Sequence, residues 1–129
     1  MKKLAIGTFI LTMMSSGAIA SDLDDAIAKG AVRLLGDELA ALYGGHTWTG
    51  KTAQGTDFSQ KISADGTAVL TFKGKNDAGR WRVDGDKGCA SWTKLRNGKE
   101  ACVAIVRMPD GSYAAFNEDG FLNSTFDVQ

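Results

Sequence analysis

Proline, histidine and cysteine are all scarce in this chain. Its 129 residues include one proline (Pro109), one histidine (His46) and two cysteines (Cys89 and Cys102). A zinc site draws on several His, Cys or acidic ligands, and that set is missing. A Ser- or Cys-based nucleophile needs a histidine and an orienting acid beside it. Asp57 and Ser59 are the residues that such an arrangement would need beside His46, but no motif brings them to it. A histidine directly after Gly44-Gly45 reads as a polar residue at the start of a strand. No C-x-x-C is present, so the redox arrangement of catalytic cysteine pairs is absent. Asp84-Gly85-Asp86 has the look of a calcium-loop fragment, yet the regular oxygens and closing Glu of such a loop do not follow. Nothing selects a catalytic pair from the fifteen acidic residues. The sequence therefore predicts no catalytic residue, no metal site and no cofactor, and the chain is not expected to be an enzyme.

Long apolar runs are also missing, except at the start. Met1-Lys2-Lys3 is positive, Leu4 to Ala20 carries no charge, and Ala18-Ile19-Ala20 is an A-x-A sequence. That order predicts a secretory signal peptide over residues 1–20, cleaved after Ala20. A spanning helix requires about 20 strongly apolar residues, and this run is shorter and diluted by Thr, Ser and Gly. No membrane span is expected after cleavage. No cysteine follows the cleavage point, so a lipid-modified N-terminus is not expected. The predicted location is the bacterial envelope, periplasmic or secreted.

Removing Lys2 and Lys3 lowers the basic count from 15 to 13 against 15 acidic residues, a net charge of about −2. Bulk binding to nucleic acid or anionic lipid requires a basic excess, which is absent. Residues 21–129 are one domain's worth of chain.

Glycine is the turn-former that is present in quantity, at 16 residues. Residues 21–43 read as helical: Ser21 to Asp24 is an S-x-x-D start with Asp22, Asp24 and Asp25 at the positive end of the dipole. Gly30 and Gly36 divide the region into a short helix, an extended or bent link, and a second helix near Asp37–Tyr43. Gly44-Gly45 ends it. Beyond Gly45 the apolar period becomes two. Ala68, Leu70 and Phe72 alternate with polar or exposed partners, as do Trp81 and Val83. Leu122, Phe126 and Val128 are expected to share one face. Turn signals fall at Asp65-Gly66, Lys75-Asn76-Asp77, Asp84-Gly85, Asn97-Gly98, Asp110-Gly111 and Asp119-Gly120. Strands are predicted near 46–51, 56–63, 67–73, 79–84, 88–94, 101–108, 112–117 and 121–128. No helical pattern separates them, so the connections should be antiparallel.

The predicted class is mainly β (α+β): an N-terminal helical segment, then a seven- to eight-stranded antiparallel meander, barrel-like rather than a sandwich. Curling into a barrel buries the apolar face and removes free edges. Cys89 and Cys102 fall on consecutive strands around Asn97-Gly98. In an exported protein such a pair predicts one structural disulfide.

Arg80-Trp81-Arg82 and the basic run Lys94 to Lys99 have aromatics nearby, a combination that can hold single-stranded nucleic acid. Location and charge argue against that partner, and the alternation reads as Arg outside and Trp inside. Trp48, Trp81, Trp92 and Tyr113 are candidates to line a ligand cavity.

Gly79-Arg80-Trp81-Arg82-Val83, Asp84-Gly85, Cys89, Trp92 and Cys102-Val103 together resemble a group of small exported bacterial proteins of unknown function. The lead-in Glu38-Leu39 through Tyr43, Gly45, Thr47 and Gly50 is similar to theirs, as is the hairpin Asp65-Gly66-Thr67. The likeness covers about residues 35–116 and rests on short motifs of turn and core residues. It implies an exported, disulfide-bonded β domain and supplies no catalytic residues.

Two functions remain as expectations. One is a binding module for a small apolar or amphipathic ligand, or for an envelope protein. The other is an inhibitor of an envelope-attacking enzyme such as lysozyme, with Asp110-Gly111-Ser112-Tyr113 as the inserting loop.

Overall fold

The computed structural model describes residues 21–129, so the predicted signal segment lies outside the described residues. Two helices and a two-residue strand come first: α1 (Asp22–Ala28), β1 (Val32–Arg33) and α2 (Gly36–Tyr43). Eight longer strands follow: β2 (Thr47–Thr52), β3 (Asp57–Ile62), β4 (Thr67–Phe72), β5 (Lys75–Asp84), β6 (Lys87–Trp92), β7 (Ala101–Arg107), β8 (Tyr113–Phe116) and β9 (Leu122–Val128). Each pairs antiparallel with its sequence neighbour, and β2 pairs with β9. The eight strands therefore close into an up-and-down barrel. β1 lies along the last two residues of β7, Val32 opposite Arg107 and Arg33 opposite Val106, beyond the point where β6 stops.

The helical segment behaves as its sequence implies. Ser21 Oγ accepts from the Asp24 amide at 3.1 Å, and Asp24 Oδ2 accepts from the Ser21 amide at 3.4 Å, a reciprocal cap. α1 lies on the outside of the barrel, where Ala26 and Ala31 pack with Val106, Ala114 and Phe116. It is fastened there by Leu23 N–H to the Gly120 carbonyl and by Asp22 Oδ2 accepting from Leu122 N–H. α2 instead closes one end. Leu39, Leu42 and Tyr43 join Trp48, Ile62, Ala68, Ile105 and Phe126 in the main core.

The domain thus has two apolar cores, one inside the barrel and one between its outer wall and α1. This explains a difference from the period-two reading. Phe126 and Val128 face inward, but Leu122 faces the outer core. Ala115 pairs with Ser124 and Phe116 with Leu122, so Asn123 is an extra residue on β9. The bulge turns the strand over and flips Leu122 to the other side. A second difference concerns Lys75-Asn76-Asp77, which lies within β5 and not in a turn. The turn is Lys73-Gly74, with φ of +53° and +76°, and Phe72 pairs directly with Lys75.

Cys89 and Cys102 are direct cross-strand partners on β6 and β7, their Cα atoms 4.0 Å apart, and they form the expected disulfide. It closes a loop with a sequence separation of 13. Chain-entropy reasoning gives such a loop about 3 kcal/mol. Reduction, or the double change Cys89→Ala/Cys102→Ala, is therefore expected to lower the thermal midpoint by roughly 12 °C at about 4 °C per kcal/mol. Calorimetry of the two forms checks it.

Candidate functional site

The barrel is sealed at the α2 end. Trp48 is buried in that seal, with its indole N–H donating to the Leu42 carbonyl at 3.0 Å. Its ring meets Tyr43 edge-on at 4.6 Å and stacks on Phe126 at 4.2 Å. Trp81 stacks on Tyr43 from the other side at 5.2 Å and donates to the Ser63 carbonyl. Burial raises the pKa of the Tyr43 phenol well above its usual range, so it stays neutral. Gly88 makes room for it, since a Cβ there would overlap the Tyr43 hydroxyl.

Above this floor the lumen is not filled. A cavity of about 260 Å³ runs from Tyr43 and Trp48 toward the opposite end of the barrel. Phe58, Phe72, Trp92, Leu70 and Val103 give it apolar walls, and Ala90 and Ala115 leave it width. Gln60, at 9% exposed, and Ser124, at 7%, are the buried polar side chains in the wall. The bulge at Asn123 matters here, because it places Asn123 and Ser124 both on the lumen. Leu95 and Arg96, from the β6–β7 connection, stand at the mouth.

That connection is held by one buried acid. Asp77 points inward near the mouth, 8% exposed, and its carboxylate accepts the backbone N–H of Lys94 at 3.1 Å and of Leu95 at 3.0 Å. Beyond them Arg96 and Asn97 take left-handed backbone, φ +55° and +54°, before Gly98.

Of the four aromatics singled out from the sequence, Trp48 and Trp92 line the lumen. Trp81 and Tyr113 are not among the residues that line it, and Tyr113 borders a separate recess with Leu42 and His46. Trp81 is spent on the plug, and Tyr113 lies at the sealed end against Phe126, 5.8 Å between ring centres. Period-two alternation gives the inner face but not the height along the barrel, and height separates lumen from plug. Phe72 and Leu70 were visible as an inward face. Phe58 and Gln60 alternate in β3 with the same parity and carried that signal too. Arg96 and Asn123 lie in a connection and at a bulge, where no period operates.

The other candidates lie apart from the lumen. His46 is at the sealed end, its Nδ1 3.2 Å from the Gln129 carbonyl oxygen. Asp57 begins β3 at the far end, 2.6 Å from Lys51 Nζ, and Ser59 pairs with Thr49, so neither is brought to His46. Asp84-Gly85-Asp86 is the β5–β6 turn, with Asp84 3.5 Å from Arg82 and Asp86 3.5 Å from Arg33. Arg80 and Arg82 are exposed and flank an inward Trp81. Glu100 lies close to both cysteine sulfurs, but sulfurs bonded to each other are not thiolate ligands. Arg82 grips Glu100 by Nε at 2.9 Å and Nη2 at 2.7 Å, which holds its carboxyl below the usual range. At the Asp110–Tyr113 loop, Asp110 Oδ1 accepts both the N–H and the hydroxyl of Ser112, making a self-contained turn. No helix among the described residues is long and apolar enough to cross a membrane.

No protein-family model, curated protein or solved structure matches this chain.

Proposed function

We propose that the protein is an exported binding module that takes a small, largely apolar ligand into the barrel lumen. The observation that carries this reading is the cavity itself: aromatic walls, one sealed end, one open end, and buried polar groups at Gln60 and Ser124. Convergent polar groups in an apolar pocket are the usual form of a small-molecule site. Cores are normally packed to crystal-like density, and a void of this size forfeits dispersion contacts. At about 260 Å³ it lies just below the roughly 300–1,000 Å³ of pockets for drug-sized ligands, so the ligand is small. The Cys89–Cys102 bridge supports placement in a non-reducing compartment, the bacterial periplasm or the exterior.

The test uses N-phenyl-1-naphthylamine, an uncharged fluorophore that brightens on leaving water. Saturable brightening and quenching of tryptophan emission are expected with the full domain. Ala90→Phe, which fills the lumen, should abolish both while the far-UV circular dichroism stays unchanged. If the dye does not bind, or binds Ala90→Phe as well as the parent, the lumen is not the site.

A further inference from the structure

Resting on that reading of the lumen, we propose that its ligand is a small aromatic anion, its ring in the lumen and its carboxylate at the mouth. The rings of Phe58, Phe72, Trp92 and Trp48 are part of the apolar wall. Flat π-faces favour a flat ring as occupant, through offset stacking and edge contacts. One side of the mouth adds positive charge. Arg96 itself lines it. The Lys73 ammonium sits 5.4 Å from the centre of the Phe72 ring, and that ring is part of the lumen wall. Lys75, Lys94 and Lys99 stand exposed in or beside the same two connections.

The acids on that side are already engaged. Asp77 is taken up by the amides of Lys94 and Leu95, and Glu100 by the Arg82 fork. Across the mouth, Asp57 is paired with Lys51, Asp119 accepts the Phe121 amide, and Glu118 stands exposed in the β8–β9 connection, paired with neither Lys73 nor Arg96. The two mouth cations therefore have no carboxylate partner among the described residues.

Backbone conformation marks the same place. Among the described residues, the non-glycine positions with positive φ are Lys73, Arg96 and Asn97, all at the mouth. Left-handed backbone is unfavourable for residues with a Cβ and persists where the surroundings enforce it, a pattern that clusters at ligand clamps. In the β6–β7 connection Asp77 anchors the two residues that precede Arg96. A lysine also takes the first position of a two-residue hairpin turn that Asn or Gly ordinarily fills. Both strained connections thus present a cation to the open end of an aromatic cavity. An arginine there can grip a carboxylate through two parallel N–H donors.

The experiment compares 2-naphthoate with its uncharged isostere 2-naphthamide by calorimetry at low salt, on the full domain. Naphthoate is expected to bind about tenfold or more tightly, since hydrogen bonds to a charged group exceed neutral ones. Arg96→Gln/Lys73→Gln should erase that preference, so that naphthoate and naphthamide bind with similar affinity. Lys73→Gly with Arg96→Gln gives the same comparison with the turn strain relieved. Equal affinities in the parent, or a preference that survives both double variants, would overturn the anion proposal while leaving the lumen reading intact. Failure of both compounds to bind would overturn the two together.

Discussion

A Trp48→Ala variant is expected to unfold about 3–5 kcal/mol more easily than the parent. The residue is 4% exposed, and three things depend on it at once. Its ring joins the plug to the barrel through Tyr43 and Phe126. Its indole N–H satisfies the Leu42 carbonyl near the end of α2, a group with no intrahelical partner. Its volume sets the floor of the cavity, so its loss lengthens a void that is already present. A domain of this size has roughly 5–15 kcal/mol in total, so the loss takes a large share. Urea unfolding followed by circular dichroism measures it. A cost below about 1 kcal/mol would mean that α2 is not packed on the barrel through this ring. Trp48→Phe should fall between, keeping the stacking and losing the donor.

Gly50→Ala should be worse than its single methyl suggests, costing more than about 4 kcal/mol. Gly50 faces Phe126 across the β2–β9 seam. A Cβ at Gly50 would overlap the Thr125 carbonyl and lie 2.7 Å from the Phe126 Cα, backbone atoms that cannot swing aside. Glycine in a strand interior often marks a tight bend at a barrel corner where another backbone comes close. Gly79 is the same device between β5 and β6, where the Trp92 ring lies over the bare position. Gly55→Ala is the control: its turn has φ of +87° but nothing within 4 Å, so only the backbone penalty of about 1–2 kcal/mol applies. If the two variants melt alike, contact at the seam is not what requires Gly50.

The eight long strands, the two helices and the disulfide partners were legible because each rests on local chemistry. Ser21 and Asp24 announce a cap, Gly44-Gly45 a stop, and Asp-Gly or Asn-Gly the hairpins. Cysteines on neighbouring strands were bound to come close. The errors came where local chemistry was silent. The β4–β5 turn falls on Lys73-Gly74, and Asp77, which looked like a turn residue, is an inward strand residue that anchors a loop distant in sequence. Leu122 was given the wrong face because one extra residue, Asn123, is paired with nothing on β8. Of the four aromatics, Trp48 and Trp92 line the lumen, and Trp81 and Tyr113 could be told apart from them only by height along the barrel. Arg96 and Lys73 read as surface charge, since their meaning depends on what their connections overhang.

The β2–β9 seam bears on how the barrel comes into being. Every other junction among the eight barrel strands joins strands adjacent along the chain and can form as a local hairpin. The seam pairs Trp48 with Val128, from opposite ends of the barrel sequence. Its loop-closure entropy is the largest of any junction, and such contacts are made late. Until they form, β2 and β9 are both open edges, and the β9 of a second chain presents the same pairing surface as its own. Closing the cylinder is therefore also the step that withdraws both edges from pairing with a second chain.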